Sequence, residues 1–365
     1  MKVLQVITGI SMKSGGPTRS VKGLCRALDR AGVEVTLLVL GGTDEFEHPG
    51  GVKVIYGLRT EPAFIKEFQV VHLHGLWSPK LHKVAVACRR AGVPYVVSPR
   101  GMLDPWALSV KKWKKLIARW LYQDRDLRGA AAFHATAELE AENIRKQGFR
   151  QPIIVAPNGV ELGARGQVLG ASKDRVAVFM GRLHPGKGLV TLAEAWGKLG
   201  VKSEGVGSEG VKGWKMVVVG PDSYGHKKDI VAKLEELGIK DEWDFVGMVG
   251  DEEKWKYYHQ ASLLIHPSVS ENFGITIAEG LAAGLPVICT KGTPWHDIAD
   301  HKCGWWIDIG VEPLTDALTE AMALSPDELQ AMGARGRKLV EEKYTWEAVV
   351  KKMIEGYREV LNGRT

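Results

Sequence analysis

The chain has 365 residues, more than the roughly 250–300 that one hydrophobic core normally serves, so two domains are expected. Hydrophobic residues make up 45% of the chain and charged residues 25%, with a mean hydropathy of −0.10. This composition excludes a mainly disordered chain and a protein with many membrane spans. A net charge of +6 and a pI of about 9.0 permit attraction to phosphate or anionic lipid, but they do not indicate a nucleic-acid partner.

The N-terminus and the cysteines favour a reducing, cytoplasmic compartment. Met1–Ile7 lacks the long apolar region and cleavage site of a signal peptide and is typical of a first strand. No apolar run reaches the roughly 18 residues that cross a bilayer. Cys25, Cys88, Cys289 and Cys303 form no C-x-x-C pair, so free thiols are expected and a zinc or redox motif is not.

Strands and helices alternate through the first part of the chain, which predicts βαβ units and a parallel sheet. The predicted strands are Val3–Ile7, Val35–Val39, Val52–Tyr56, Val70–Leu73 and Tyr95–Ser98. The predicted helices between them are about Thr18–Ala31 and Leu81–Ala91.

The alternation restarts after Pro157-Asn158-Gly159-Val160, which indicates a second α/β domain. Its predicted strands are Val176–Met180, Met216–Val219, Trp243–Val246, Leu263–His266 and Pro286–Cys289. Its predicted helices lie near Leu189–Leu199, Lys227–Leu237 and Ile275–Ala283. We place the N-terminal domain at 1–165 and the C-terminal domain at 172–345. A last amphipathic helix, 346–362, needs a partner surface for its apolar face.

The segment Gly181–Gly188 directly follows a predicted strand and predicts an anion site. It nearly spells the P-loop G-x-x-x-x-G-K-[ST], but Gly188 replaces the hydroxyl that would hold Mg²⁺, so a P-loop NTPase is disfavoured. Arg182 and Lys187 remain beside the free amides of a helix start, where phosphate binds. The alternative is a turn with two solvated basic side chains.

A glycine-rich insertion at 201–213 contains Gly205-x-Gly207-x-x-Gly210, which is literally a dinucleotide fingerprint. The motif requires a strand before it and a helix after it, and the sequence indicates neither. We interpret the insertion as a surface loop.

Two carboxylates flank the start of a further predicted helix. Glu271 precedes Phe273-Gly274, and Glu279 lies about five residues into the helix, roughly 7.5 Å along its axis. The amides at the helix start are available for phosphate, and Gly274 permits a close backbone approach. A carboxylate accepts hydrogen bonds from vicinal hydroxyls of ribose or of another sugar. The pair can therefore reach two parts of one elongated ligand; an ordinary helix with surface carboxylates is the alternative.

Together these features resemble the nucleotide-sugar glycosyltransferases of family 4 (group 1), which retain the anomeric configuration. The resemblance is carried in order by Gly15-Gly16-Pro17, Pro157-Asn158-Gly159-Val160, Arg182…Lys187-Gly188 and the pair Glu271 and Glu279. It implies an α/β fold of the GT-B type, with two Rossmann-like domains facing across a cleft. The C-terminal helix would cross back to the N-terminal domain, which would bind the acceptor, and the C-terminal domain would bind the nucleotide sugar.

The resemblance also implies a role for each matching residue. Arg182 and Lys187 would hold the donor diphosphate, and with Glu271, which would contact the transferred sugar, they are the predicted catalytic residues. Glu279 would bind the ribose. The remaining predicted donor contacts are the backbone of Asn272, Phe273 and Gly274, together with Gly15 and Gly16 from the other domain.

The substrates implied are a UDP- or GDP-sugar donor carrying a hexose and a glycan or lipid-linked acceptor of polysaccharide or glycolipid synthesis. No metal or other cofactor is expected. The resemblance also implies that the reaction needs no protein nucleophile and that the departing phosphate takes the acceptor's proton. Two alternatives stay open: a nucleotide-sugar epimerase of the same fold, and a non-catalytic nucleotide-binding module.

The sequence departs from the family at three candidate acceptor or active-site residues. Arg100 stands where many relatives carry histidine, and we expect it to pair with an acceptor phosphate. His134 is a second candidate near the cleft, with core packing as the alternative. Trp295 lies in a stretch that replaces a more usual Gly-Gly-x-Pro-Glu pattern, and it either lines a pocket or packs inside the domain.

Two patterns that resemble metal sites are discounted. Asp124-Arg125-Asp126 is a literal D-x-D, but it lies in a helical stretch rather than at a strand end and lacks clustered oxygen ligands. His72 and His74 alternate on one strand face without an evident third ligand.

The stretch 111–121 predicts an interfacial helix. Five apolar residues share one helical face and basic residues flank it, which is typical of a helix that lies on an anionic membrane. The apolar set is Trp113, Leu116, Ile117, Trp120 and Leu121. The alternative is a helix packed on its own domain. With membrane contact, the protein is expected to be peripheral at the inner face of the membrane.

Overall fold

The computed structural model describes residues 1–10, 16–41, 50–162, 175–202 and 213–363. Within this part the chain forms two compact units. Unit 1 consists of Met1–Gly159 with Tyr344–Thr365, and unit 2 of Val160–Lys343. Each unit is built on one parallel sheet, as the alternation of strands and helices predicts.

Unit 1 contains a seven-stranded parallel sheet in the order β3-β2-β1-β4-β5-β6-β7. The strands are β1 Lys2–Ile7, β2 Glu34–Val39, β3 Lys53–Tyr56, β4 Val70–His74, β5 Tyr95–Ser98, β6 Ala132–Ala135 and β7 Ile153–Val155. The helices are α1 Gly16–Arg30, α2 Pro62–Ile65, α3 Pro79–Ala91, α4 Pro105–Ser109, α5 Lys112–Ala118, α6 Asp124–Arg128 and α7 Glu138–Lys146, with a π-helical turn at Arg119–Gln123. The strand order reverses between β1 and β4, and in open α/β sheets ligands bind at the carboxyl ends of the strands at such a point.

Unit 2 contains a six-stranded parallel sheet in the order β10-β9-β8-β11-β12-β13. The strands are β8 Val176–Met180, β9 Lys215–Val219, β10 Trp243–Gly247, β11 Leu263–His266, β12 Val287–Thr290 and β13 Gly304–Ile307. The helices are α8 Leu189–Lys202, α9 Lys227–Glu236, α10 Lys254–Gln260, α11 Ile275–Ala282, α12 Asp297–Asp300, α13 Val311–Ala323 and α14 Pro326–Lys343, with 3-10 turns at Pro185–Lys187 and Lys240–Glu242. The order reverses here between β8 and β11, which places the loops after these two strands at the switch point.

The central strands are buried on both faces, because helices cover both sides of each sheet. Leu263–His266 is buried throughout, as is Val70–His74. Two core clusters form on unit 1, one under α1 and one under α3, and a third forms in unit 2. These cores leave the carboxyl ends of the strands as the edges from which functional loops start.

The last helix, α15 Trp346–Asn362, packs on unit 1 as the amphipathic pattern predicts. Thr345 caps it by accepting a hydrogen bond from the Ala348 amide. Trp346 lies against Gly23 and Gly159, where a Cβ at either position would collide with the indole ring. Gly159 of the Pro157–Val160 motif is therefore required for the docking of this helix.

Several elements were not predicted from the sequence, among them β6, β7, β13, α7, α10, α13 and α14. Strand β13 illustrates the reason, because all four of its residues are only partly buried and two of them are tryptophans, so no periodic pattern marks it. No helix among the described residues combines the length and the apolar character needed to cross a membrane.

Candidate functional site

The loop after β8 is held by hydrogen bonds from its backbone amides. Leu183 donates from its amide to Pro221 O (2.9 Å), and the imidazole of His184 accepts from the Gly186 amide (3.1 Å). The segment Pro185–Lys187 is a 3-10 turn, so α8 begins only after Gly188. Gly188 has φ +71°, and a Cβ there would collide with the Pro267 carbonyl oxygen. A P-loop serine or threonine does not fit at this position.

The two basic residues of this loop have different surroundings. The Arg182 side chain is exposed and forms no ion pair with other described residues. Lys187 is partly buried, and its ammonium group forms an ion pair and hydrogen bond with Glu271, which follows β11. The structure thus joins two of the predicted catalytic residues directly, and it leaves the guanidinium of Arg182 open to an anion.

Glu271 lies in a polar pocket built by the end of β11. Its Oε1 accepts from His266 Nε2 (2.9 Å) and from Ser268 Oγ (3.1 Å), besides Lys187. Burial by itself would raise the pKa of Glu271, but the charge of Lys187 and the hydrogen bond from His266 outweigh it and hold this pKa well below its usual range. Glu271 is therefore an ionised acceptor with a fixed orientation.

His266 orients Glu271 and was not identified from the sequence. Burial lowers the pKa of His266, so the ring is neutral at pH 7. Its Nε2–H donates to Glu271 while Nδ1 accepts from Thr276 Oγ1 (3.2 Å). The sequence does contain one indication of this role, because His266 is the last residue of an otherwise apolar predicted strand.

Glu279 is only 5% exposed, and both of its oxygens have partners inside unit 2. Lys254 Nζ lies 2.6 Å from Oε1, and Tyr258 OH donates to Oε2 at 3.0 Å. Both partners come from α10, which the sequence analysis did not predict. Glu279 lies on α11, five residues after Gly274. Each of the two carboxylates of the motif is therefore paired with a lysine, Glu271 with Lys187 and Glu279 with Lys254.

Phe273 and Gly274 form the turn that starts α11. Gly274 has φ +81°, a conformation that glycine adopts without strain. Trp295 is 1% exposed, packs against the Phe273 ring with centroids 5.3 Å apart, and donates from Nε1 to the Phe273 carbonyl. Trp295 thus supports the turn from within the domain, as in the packing alternative. Asn272 precedes the turn, and its contact with a ligand stays a prediction.

The other candidate residues lie in unit 1. Arg100 follows β5 with φ +57°, an uncommon conformation for a non-glycine residue that occurs at functional sites. Its Nη1 donates to Asn158 Oδ1 (2.9 Å) and its Nη2 to His74 Nδ1 (3.0 Å). Burial lowers the pKa of Arg100 to about 10, so the guanidinium remains charged at neutral pH.

His134 is 3% exposed and uses both ring nitrogens inside unit 1. Its Nδ1 lies 2.6 Å from Ser98 Oγ, and its Nε2 lies 2.8 Å from Ala156 O.

Gly15 lies outside the described residues, and Gly16 is the first residue of α1. The insertion at 201–213 also lies almost wholly outside them, and only its ends at 201–202 and 213 are described.

The aspartates of the D-x-D sequence bind cations of the protein itself. Asp126 accepts from His82 Nδ1 (2.8 Å) and Arg89 Nη1 (3.0 Å), and Asp124 accepts from Arg119 Nε (2.8 Å). Elsewhere, His296, Asp297 and Asp300 have ligand atoms within 4.8 Å of one another, but Lys343 Nζ lies 2.6 Å from Asp297. The ammonium group thus provides the charge partner of the most buried member of this group.

Three buried histidines make unit 1 sensitive to acid. Burial lowers the pKa of His72 and of His74 well below the usual value, and it lowers the pKa of His134 to about 3. The unfolded chain then binds more protons below pH 6.5, so stability falls as the pH falls below that value, by about 1.4 kcal/mol per histidine per pH unit.

We expect amide exchange in β4 and β5, corrected for its intrinsic pH dependence, to accelerate strongly between pH 7.5 and 5.5. Strand β9 should change less, because His266 is the only histidine in the described part of unit 2 that is less than 5% exposed, and burial lowers its pKa. Equal protection of β4 at both pH values would contradict the assignment of neutral rings.

The segment predicted to contact a membrane consists of α5 and the π-helical turn after it. All five residues of its apolar set are at least half exposed, and Trp120 is 85% exposed. Trp106 and Val110, just before α5, are exposed as well. The alternative of a helix packed on its own domain through this face is therefore not what the structure shows.

Comparison with known proteins identifies the family. The profile described as "Glycosyl transferase 4-like domain" matches residues 15–159, and "Glycosyl transferases group 1" matches residues 164–339. A GDP-mannose:cellobiosyl-diphosphopolyprenol alpha-mannosyltransferase of Komagataeibacter xylinus is 24% identical, over 99% of this chain and 94% of that one. A D-inositol 3-phosphate glycosyltransferase of Segniliparus rotundus is 29% identical over 63% of this chain, a match that spans about half (52%) of that relative's length.

Solved structures share the fold over nearly the whole chain. Anabaena HepE in complex with UDP and glucose superposes with a TM-score of 0.77 at 18% identity, covering 98% of this chain and 100% of that one. Sucrose-phosphate synthase from Thermosynechococcus elongatus gives a TM-score of 0.76 at 18% identity, with 99% of both chains covered. Two family profiles match the chain, and its seven-stranded and six-stranded parallel sheets agree with the solved structures. The chain therefore belongs to the group 1 glycosyltransferases and has the GT-B fold.

Proposed function

We propose that the protein transfers a hexose from a UDP- or GDP-sugar to a glycan or lipid-linked acceptor that carries phosphate, with retention of the anomeric configuration and without a metal. The observation that carries the proposal is the meeting of Lys187 with Glu271 at the ends of β8 and β11, beside the exposed Arg182. Two cations and an ionised carboxylate at a sheet switch point suit a ligand that has both a diphosphate and a sugar.

Charge explains how this site would catalyse the reaction. As the bond from the anomeric carbon to the phosphate oxygen breaks, negative charge grows on the diphosphate. Arg182 and Lys187 stabilise that charge more than they stabilise the bound donor, which lowers the barrier. Lys187 would turn from Glu271 toward the phosphate, and His266 and Ser268 would keep Glu271 in place for the sugar hydroxyls.

Retention without a protein nucleophile agrees with the surroundings of Glu271. Its Oε1 accepts three hydrogen bonds, from Lys187, His266 and Ser268, so it is built to bind hydroxyl groups rather than to attack carbon. We propose that the acceptor hydroxyl attacks on the face from which the diphosphate leaves, and that a phosphate oxygen takes its proton. Glu279 would accept from the ribose hydroxyls.

The names of two relatives support the proposed donor and acceptor classes. The Komagataeibacter relative is named for GDP-mannose and a diphosphate-linked lipid acceptor, and the Segniliparus relative for D-inositol 3-phosphate. Both acceptors carry phosphate. Arg100 is a cation at the carboxyl edge of unit 1, and we assign to it the phosphate of the acceptor.

The test combines donor binding with transfer. Thermal unfolding is measured with GDP-mannose, UDP-glucose and UDP-N-acetylglucosamine, where a donor at 100 times its Kd should stabilise the fold by about 2.7 kcal/mol. Transfer to D-inositol 3-phosphate and to polyprenyl-diphosphate-linked cellobiose is then measured with EDTA present, and the product anomer is assigned by NMR. Donor isomerised without an acceptor indicates an epimerase, and binding without turnover indicates a nucleotide-binding module. An inverted product, or activity that EDTA abolishes, refutes the corresponding part of the proposal.

We further propose that α5 and the turn after it attach the enzyme to the cytoplasmic face of a membrane. The exposed apolar face is flanked by Lys111, Lys112, Lys114 and Lys115, and by Arg119, which is paired with Asp124. Each lysine near an anionic surface adds up to about 1 kcal/mol. A peripheral enzyme of this kind would meet lipid-linked acceptors where they are made.

Replacing Trp113 and Trp120 with serine together is expected to lower partition onto vesicles containing phosphatidylglycerol by about 10-fold or more, because both indoles would otherwise insert. Sedimentation at low and high salt measures it, since the basic flank adds a salt-dependent part. Tyr224→Ser removes an equally exposed aromatic residue from unit 2 and should leave partition unchanged. Wild-type protein that stays in the supernatant at low salt would exclude this attachment.

A further inference from the structure

A continuous chain of hydrogen-bonded side chains crosses the interior of unit 1. It links the C-terminal helix to Arg100 and passes through four strands of the sheet. Every member except Arg100 is buried. The members are Gln5 on β1, His72 and His74 on β4, Ser98 on β5, Arg100 after β5, His134 on β6 and Tyr357 on α15.

The His134 end determines where the hydrogens are. The Ala156 carbonyl can only accept, so His134 Nε2 carries the proton (2.8 Å) and Nδ1 accepts from Ser98 Oγ (2.6 Å). Ser98, having donated, accepts from His72 Nε2 (2.8 Å). His72 Nδ1 then accepts from the hydroxyl of Tyr357 (2.7 Å).

The Arg100 end imposes the same direction independently. A guanidinium can only donate, so His74 Nδ1 accepts from Arg100 Nη2 (3.0 Å), and His74 Nε2 donates to Gln5 Oε1 (2.7 Å). The Gln5 amide group then donates to the Tyr357 hydroxyl (3.0 Å). The two halves meet at Tyr357, which accepts from Gln5 and donates to His72, and all three imidazoles are neutral with the hydrogen on Nε2.

This match of donors and acceptors is a structural constraint on Arg100. Each buried group has one suitable partner on either side, and loss of one hydrogen bond leaves two buried groups unpaired. Arg100 adopts an uncommon backbone conformation, and its guanidinium is held by His74 on one side and Asn158 on the other. Apolar side chains would fill the space between the helices and the sheet as well as three histidines do. A guanidinium held in one position, in contrast, needs neighbours that accept its hydrogen bonds.

We propose that Tyr357, on the C-terminal helix, is a positioning residue for Arg100 and acts on it through Gln5 and His74. The inference rests on the acceptor-binding role of Arg100 proposed above. Arg100 meets the acceptor phosphate, and Tyr357 does not touch any substrate. The C-terminal helix thereby contributes to acceptor recognition as well as to the packing of unit 1.

Tyr357→Phe keeps the ring and removes the one group that both halves share. We expect the KM for the phosphorylated acceptors of the transfer assay to rise about 10-fold, with the KM of the donor unchanged. Tyr95→Phe is the matched control, because Tyr95 is also buried in unit 1, and its hydroxyl donates to Asp126 O (2.6 Å) and accepts from Arg89 without joining the chain. The melting temperature should fall in both variants, whereas the acceptor KM should rise in Tyr357→Phe alone.

A double-mutant cycle separates positioning from general damage. In an Arg100→Ala background, Tyr357→Phe should change the acceptor KM by less than about 2-fold, because the group that it positions is already gone. Equal effects of Tyr357→Phe with and without Arg100 would overturn the proposal.

A measurement without substrates keeps this inference distinct from the transferase proposal. In protein with ¹⁵N-labelled histidine, NMR should show His72, His74 and His134 as neutral Nε2–H tautomers, and Tyr357→Phe should shift the signals of His72 and His74 where Tyr95→Phe does not. A charged ring, or His74 unmoved by Tyr357→Phe, overturns the inference even if transfer occurs. The expected shifts without any transfer would support the coupling and refute only the assigned reaction.

Discussion

Replacing Arg182 with alanine is expected to lower kcat about 10²–10³-fold, the effect of losing one preorganised donor to the charge that develops in a transition state. Arg182 is exposed and forms no ion pair within the described parts of the chain, so the substitution removes charge without disturbing the fold. The melting temperature should therefore stay unchanged. Stopped assays of nucleotide release under saturating donor measure the loss.

Lys187→Ala is expected to lower kcat to the same extent, for two reasons. It removes a charge that would stabilise the leaving diphosphate, and it also removes the ion-pair partner of Glu271. The double variant Lys187→Ala/Glu271→Gln removes the unpaired carboxylate, so its melting temperature compared with that of Lys187→Ala shows how strongly the lost pair disturbs the apo site. Lys338→Ala, at an exposed lysine of α14, controls for a general loss of positive charge. Near-wild-type turnover in both Arg182→Ala and Lys187→Ala would remove the central assignment of the donor site.

Glu279→Gln is expected to give the largest loss of stability among the site variants. Glu279 and Lys254 are both buried and lie 2.6 Å apart. A second carboxylate near Lys254, Asp251, lies 3.7 Å away and is exposed, so removal of the Glu279 charge leaves the buried ammonium group with a weaker, solvent-screened partner. Breaking such a buried pair typically destabilises a protein by about 3–5 kcal/mol. Chemical denaturation followed by tryptophan fluorescence, read for the transition of unit 2, measures it.

A second substitution should restore the stability of this variant without restoring its affinity for the donor. Lys254→Met added to Glu279→Gln removes both charges and should restore most of the stability, because replacing a buried ion pair by apolar groups is often close to neutral. The donor KM should stay raised, since the ribose has lost its carboxylate acceptor. Recovery of both properties together would mean that Glu279 is a structural residue of the α10–α11 contact and not a donor ligand.

These two predictions test different halves of the proposed donor site. The Arg182 and Lys187 loop would act on the charge of the leaving diphosphate, and Glu279 would act on the ribose. Arg182→Ala should lose turnover with an unchanged donor KM, and Glu279→Gln should lose donor affinity with residual turnover. These two results together would place the nucleotide along the ends of β8 and β11.

The sequence by itself determined the two α/β units and the family, and it predicted the residues of the two loops as a donor site. Long apolar strands, the Arg182…Lys187-Gly188 turn and the Glu271 and Glu279 pair are local patterns, and local patterns can be read without coordinates. The amphipathic period of the last helix predicted its need for a partner in the same way.

Only the tertiary structure decided which groups meet. The pairing of Lys187 with Glu271 joins residues 84 positions apart, and Tyr357 contacts His72 across 285 positions. Such contacts depend on strand order and on helix docking, and no local pattern encodes either. His74 is an example. In the sequence it is one of two histidines on a strand face without an evident third metal ligand, and in the structure, where β1, β4 and β5 lie side by side, it is the neutral link between Gln5 and Arg100.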